Sequence, residues 1–275
     1  MDVPPEYVDR EQTWLKHRVL QLYLEGWAHK LASVARHRAV HLWYVDCFSG
    51  PWKAQHQELQ DTSISIGLQA LESAARTWAK ARFPIELGAI FVEKSPKAFS
   101  ALEQFLAKAS GNVTTHPLRG SFGERVGDIQ RLIRGDPAFL FVDPTGWKGA
   151  AMAHIAPLAR KSRRDVMVNV MFDHINRFKD DPRKFLRDQM RDFFGLKETD
   201  LPPGMEEHEL LAFLSPAAQE GLRYRFRVGL GNPAPGSRSD QAAPRRRRAQ
   251  SRGCPPFSTC RAAGRCGGDT VRRAR

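Results

Sequence analysis

Three short segments hold residue types able to bind and orient a small ligand. The first, Asp46-Cys47-Phe48-Ser49-Gly50-Pro51, follows the apolar run HLWYV. A glycine just after a buried strand lets backbone approach a ligand with no Cβ in the way, and Asp46 offers a carboxylate to a cationic amino group. The segment lacks the full G-x-G-x-x-G pattern, which argues against a dinucleotide pyrophosphate. The second is Glu93, closing the run ELGAIFVE and followed by Lys94. An acid at a strand tip accepts hydrogen bonds from ribose hydroxyls in Rossmann-like sites; the alternative is a solvated strand end paired with Lys94 or Lys97. Glu93 lies 43 residues past Gly50, against a usual spacing of about 20, so residues 52–62 read as an insertion. The third is Asp143-Pro144-Thr145-Gly146-Trp147, after AFLFV. Pro144 and Gly146 shape a turn and Trp147 offers a flat face for stacking. Asp143 can orient a nucleophilic amine, or else cap the following helix. A further loop, RGSFGE, adds Ser121 and Phe122 as candidate ligand contacts.

These loops matter only if strands deliver them to one edge. Apolar residues Trp14, Val19, Leu22, Tyr23, Trp27, Leu31 and Val34 recur at helical spacing, which predicts a helix over Thr13–Ala35 with Thr13 as N-cap. HLWYV reads as the first strand, and Ser63 or Ser65 as the start of a helix to Lys80. The run 86–95 is the second strand, with a helix from Pro96 to about Ala109. Val113–Leu118, 138–142 and 166–172 read as strands three to five. Helices are expected from Glu124 to Ile133 and from Ala150 to about Arg160, then over Asp181–Phe194 and Glu206–Leu214. Strands alternating with helices imply a mostly parallel, doubly covered sheet, whose ligands bind at the carboxyl ends of its strands.

Composition bounds the reading. Of 275 residues 41% are hydrophobic, which suits one α/β domain with a remainder. No apolar run reaches the ~20 residues of a membrane span, and no secretory pattern opens the chain, so a cytoplasmic protein is expected. The net charge of +13 is not evenly placed. Residues 221–275 hold 14 Arg and two acids, leaving 29 basic and 28 acidic residues in 1–220. That near-neutral body offers no broad electrostatic footprint for nucleic acid. The tail has no Lys, Glu, His, Ile, Met or Trp, and it resembles GC-rich codons read out of frame. The competing reading is a disordered Arg-rich nucleic-acid tail. Three of the four cysteines, Cys254, Cys260 and Cys266, fall there at a spacing that fits no common zinc pattern, and no metal site is expected.

Taken in order, TWLKHRVLQLYLEGW, YVDCFSGPW, SISIGLQAL, FVEKS, FVDPTGWKG and VMVNVMFDHINRF resemble the three-Cys-motif partner family, TcmP. It is a bacterial family with a methyltransferase-like fold. The resemblance runs from about Thr13 to Phe178, with a looser trace to Leu214. It implies a Rossmann-like class I methyltransferase fold over 1–220, lacking its last strands if 221–275 replaces them. It also implies S-adenosylmethionine as cofactor and a three-Cys-motif protein as partner. Asp46, Phe48, Gly50 and Pro51 match the family's Asp-x-Phe-Ala-Gly-Pro-Gly loop, with Ser49 at its Ala. Glu93 matches the strand-two acid; Asp143, Pro144, Gly146 and Trp147 match its Asp-Pro-Phe-Gly-Trp loop, itself a relative of the Asp/Asn-Pro-Pro-aromatic loop of amino methyltransferases. Lys16 and His17 match a Lys-His pair, and Asn169 with Asn176 and Arg177 the region after strand five. Trp52 and Thr145 depart from the family's Gly and Phe.

Three functions compete. One is methyl transfer from S-adenosylmethionine to an amine, on a nucleic acid or a small molecule. Another is a non-catalytic scaffold or binding partner of a three-Cys-motif protein. The third is nucleic-acid binding by the tail. If the tail alone binds, affinity should fall steeply with salt and vanish on truncation at 220; binding that survives truncation rules out the tail as sole carrier.

Overall fold

Five short runs rich in Val, Phe, Ile and Leu become one sheet, because each is too short to bury itself as a helix and is apolar on both faces. The computed structural model describes residues 7, 11–50, 62–109, 111–144, 146–161, 163–171, 175, 178, 181–196 and 209. They fall in one compact unit, Met1–Ala234. The strands are β1 (His41–Asp46), β2 (Glu86–Glu93), β3 (Val113–Arg119), β4 (Ala138–Val142) and β5 (Arg164–Val168). All neighbours are parallel, in the order β3-β2-β1-β4-β5. The helices are α1 (Glu11–Ala32), α2 (Ser63–Lys80), α3 (Pro96–Lys108), α4 (Phe122–Ile133), α5 (Met152–Ala159) and α6 (Lys184–Phe194), with a 3-10 turn at Ser33–Arg36. Among the described residues no helix is long and apolar enough to cross a membrane.

Parallel crossovers are right-handed, so reversing the direction of strand addition moves the connecting helices to the other face. Going outward from β1 through β2 to β3 packs α1, α2 and α3 against Leu42, Tyr44, Phe91 and Phe139. Going the other way, through β4 to β5, packs α4, α5 and α6 against Trp43, Val45, Ile90 and Leu140. The chain therefore has a Rossmann-like, doubly wound α/β fold whose direction switches between β1 and β4. β1, β2 and β4 are buried almost throughout, while the edge strand β3 is half-buried and includes Pro117.

Local sequence sets where the helices start, and it moves several expected boundaries. The Thr62 hydroxyl accepts from Ser65 N at 3.3 Å, and that of Ser95 from Ala98 N at 3.4 Å with Pro96 in the first turn. α4 begins at Phe122, two residues before the expected start, because Ser121 and Glu124 form a capping box. α1 begins at Glu11 rather than Thr13, and α6 at Lys184 rather than Asp181, whose carboxylate instead accepts from Arg183 N at 2.9 Å. β5 starts at Arg164 and stops at Val168, so Asn169 and the residues after it leave the ladder. The helix expected over 206–214 and the tail lie outside the described residues, Glu209 excepted.

α2 approaches the sheet closely at one point. A Cβ on Gly67 would lie 2.3 Å from the Tyr44 ring. Replacing a mid-helix glycine with alanine normally stabilises by about 1 kcal/mol. Here Gly67→Ala should instead destabilise by about 1–3 kcal/mol through overpacking, read as a lower urea midpoint; a higher midpoint would mean that α2 can move off Tyr44.

Candidate functional site

The strand order brings the expected loops together. β2, β1 and β4 are consecutive neighbours, so Glu93, Asp46 and Asp143 stand at or just past three adjacent carboxyl ends, beside the switch point.

Asp46, the last residue of β1, is fully buried. Its Oδ1 accepts from Phe48 N at 3.1 Å and its Oδ2 from the Ser63 hydroxyl at 2.6 Å. Burial pushes its pKa up to about 6, with the Asp143 charge adding to the rise; the two hydrogen bonds and Lys16 pull the other way. The loop above it is fastened at both ends. Cys47 N donates to Phe141 O at 2.9 Å, Ser49 N to Val92 O at 2.9 Å, and the Ser49 hydroxyl back to Asp46 O at 3.1 Å. Gly50 then passes over the tip of β2 with no room for a side chain: a Cβ would meet Glu93 Oε2 at 2.6 Å. Pro51 and Trp52 lie outside the described residues.

Glu93 is 5% exposed, so it is a buried acid rather than a solvated strand end. Its Oε1 accepts from Ser95 N at 2.5 Å, at the start of α3, while Lys94 beside it is exposed. Gly120 N donates to Glu93 O at 3.0 Å, which ties the loop after β3 to the same edge.

Asp143 is held from two sides. Lys16 Nζ of α1 donates to Oδ2 at 2.6 Å, and Asn169 Nδ2 to Oδ1 at 2.7 Å. Asn169 N is itself bonded to Val142 O at 2.8 Å, so the chain leaving β5 orients the amide. Lys16 is placed by an anchor further along α1, where the Tyr23 hydroxyl donates to Asp165 Oδ2 at 2.6 Å. From Tyr23 back to Lys16 the helix covers about 10 Å. From Phe139, which pairs with Asp165, to Asp143 the strand covers about 13 Å. Helix and strand thus run side by side, and the ammonium arrives at the strand end.

Three expected contacts take other places. Trp147 does not present a stacking face: it is 4% exposed and packs edge-on to Phe178, ring centroids 5.9 Å apart. Phe122 is 2% exposed in the same core, its centroid 5.7 Å from that of Phe48. Both follow the apolar demand of the α4–α5 face. Ser121 serves α4, accepting at its N-terminus and donating to Glu124. Pro144 is buried in its turn, and Thr145 lies outside the described residues. One participant escapes the strand-end reading, Ser63, legible only as a helix start; a buried Asp46 needs a donor, and the next helix supplies it.

No known protein family and no curated protein matches the chain. Among solved structures, a loganic acid methyltransferase with SAH aligns over 80% of this chain and 67% of that one, at 11% identity and a TM-score of 0.36. Strand order, together with helices packed on both faces of the sheet, defines the fold.

The raised pKa of Asp46 has a thermodynamic sign. The unfolded chain is the stronger acid here, so burying the carboxylate costs stability at neutral pH. That cost is about 3 kcal/mol for this shift and is recovered as pH falls through about 6 toward 4. Asp46→Asn, which cannot ionise, should therefore exceed the wild type in stability at pH 7.5 and lose that advantage near pH 4. Equal urea midpoints across the range would place the carboxylate in water.

Proposed function

We propose that the carboxyl edge of the sheet binds S-adenosylmethionine and positions an amine for methyl transfer. The observation that supports this most is the grouping of Asp46, Gly50 and Glu93 at the ends of β1 and β2, with Asp143 beside them past β4. The residues fit such a cofactor on two counts: without a Cβ the Gly50 backbone packs directly against the Glu93 carboxylate, keeping the two strand ends together, and Asp46 holds its proton more tightly than usual until a cation arrives. In this reading Asp46 receives the cofactor's ammonium group and Glu93 the ribose hydroxyls, as acids at these strand ends do. The bound cofactor supplies an electrophilic methyl group on a cationic sulfonium.

The chain's own part is positioning and charge. Each Asp143 oxygen keeps a lone pair beyond its bond to Lys16 or Asn169, and it accepts from the incoming amine. Lys16 and Asn169 fix the carboxylate of Asp143 from two sides, and it offsets the positive charge that grows on nitrogen as the bond forms. The acceptor is an amine of a nucleic acid or a small molecule. A second reading is a non-catalytic scaffold or binding partner of a three-Cys-motif protein, in which the bonds from Lys16 and Asn169 serve only to tie α1 and the end of β5 to Asp143.

Thermal unfolding tests the assignment. S-adenosylmethionine, or its demethylated product, at about 100 times its dissociation constant should add about 2.7 kcal/mol, a rise of several degrees. The shift should be lost in Asp46→Asn and kept in Asp143→Ala. A wild-type melt that does not move rejects the cofactor. A shift equal in all three proteins rejects Asp46 as its anchor. Turnover retained by Asp143→Ala against an amine acceptor rejects the positioning role.

A further inference from the structure

The near-zero charge of residues 1–220 hides a segregation that only the topology reveals. Since every strand is parallel, every helix-to-strand connection lies at the amino edge of the sheet, opposite the site above. Four of the five, all but the one from α3 to β3, carry exposed cations. Arg36 and Arg38 follow α1, Arg82 follows α2, Arg134 follows α4, and Lys161 with Arg163 follows α5; all six are exposed. The loops also touch one another. Lys161 Nζ donates to Arg134 O at 3.1 Å, and Ala138 N to Arg163 O at 3.2 Å. Arg38 and Arg163 line a common recess of about 90 Å³ with His41 and Asp136. Two acids share this edge, Asp136 and Glu86, 3.5 and 4.0 Å from His41 Nδ1, while Asp165 accepts from Tyr23, so the named cations outnumber the acids among them.

Positive charge at a helix C-terminus is favourable in itself, which would account for cations here. It does not account for their backbone. Arg82, Arg134 and Arg163 have φ of 63°, 41° and 64°, in the region that glycine occupies without strain. Arg134 has ψ of −113° besides. At three separate helix ends the sequence accepts a strained arginine where glycine would be easier. Strain kept at three separate helix ends is the observation that calls for a role of the side chains.

We propose that the amino edge docks the phosphate backbone of a nucleic acid. Five of the six cations are arginine, whose planar fork binds phosphate oxygens two at a time. Five strands spaced about 4.8 Å apart make an edge about 19 Å long, roughly half a turn of duplex. Lipid is a poorer fit, because the exposed large apolar side chains among the described residues, Leu15, Leu22, Met171 and Phe185, are all outside these loops. The proposal does not depend on methyl transfer at the opposite edge.

The test uses the full chain and a fluorescein-labelled DNA duplex, with anisotropy followed against sodium chloride. The triple variant Arg82→Gly, Arg134→Gly, Arg163→Gly relieves strain, so its melting temperature should hold or rise. Its affinity near 0.15 M salt should fall about 100-fold, and its log–log salt slope should become shallower by about 2.7, or 0.9 for each lost phosphate contact. The arginines of 221–275 are common to both proteins, so the difference isolates the edge. Arg38→Gln with Lys161→Gln, at positions without positive φ, gives an independent reading, a slope shallower by about 1.8. Unchanged affinity and slope in both variants would overturn the proposal. So would binding to phosphatidylserine vesicles that the variants lose while keeping the duplex.

Discussion

Lys16 reaches Asp143 across 127 residues of sequence, and its ammonium decides what the carboxyl edge can be. Burial and the neighbouring Asp143 charge raise the proton affinity of Asp46, and the Lys16 ammonium pulls the other way. Asp46, deeper and drier, keeps a pKa near 6, while the cation brought over from α1 and the Asn169 amide hold Asp143 from two sides. The pair is partly exposed on both sides, so solvent screens it and its worth lies in orientation more than in stability. Its geometry in turn depends on the Tyr23–Asp165 bond and on Trp27 and Tyr23 packing against Phe139, which fix α1 along the sheet.

The two edges follow from one property of a parallel sheet. Each connecting helix points its N-terminus at the carboxyl edge and its C-terminus at the amino edge. The partial positive charges of the first favour acids, and the partial negative charges of the second favour cations. The Ser95 amide that bonds Glu93 at the start of α3 is a direct case. Arg36 stacked over the Trp78 ring, 5.3 Å from its centroid, shows a cation of the other edge resting on apolar surface while its charge stays outside. A charge total near zero is therefore compatible with an acidic edge and a basic one, a separation that no average over the sequence could show.

The strands were the most legible part of the sequence. β1, β2 and β4 are continuous apolar runs, and a doubly covered strand has no other way to be written, so the acids at their ends could be placed from residue types alone. Strand ends were less legible at β5, because the apolar letters of 166–172 continue past the last paired residue, Val168. Trp147 and Phe122 misled for a related reason: an aromatic residue beside a loop looks the same whether it faces a ligand or the core, and only the position of α4 and α5 decides. Ser63 and Lys16 act through space, from helices whose rotation about their own axes is set by packing. Arg82, Arg134 and Arg163 gave no warning at all, since a left-handed arginine has no spelling of its own.

Pro117 stands in β3, which pairs with β2 and forms one margin of the five-stranded sheet. A proline in an edge strand turns its missing donor toward the open side. The row of amides that a visiting strand would need is thereby broken in the middle of β3. Among the described strands, the other margin, β5, contains no proline and keeps every amide. A substitution that restored an amide at position 117 would make the β3 margin a better template for a visiting strand.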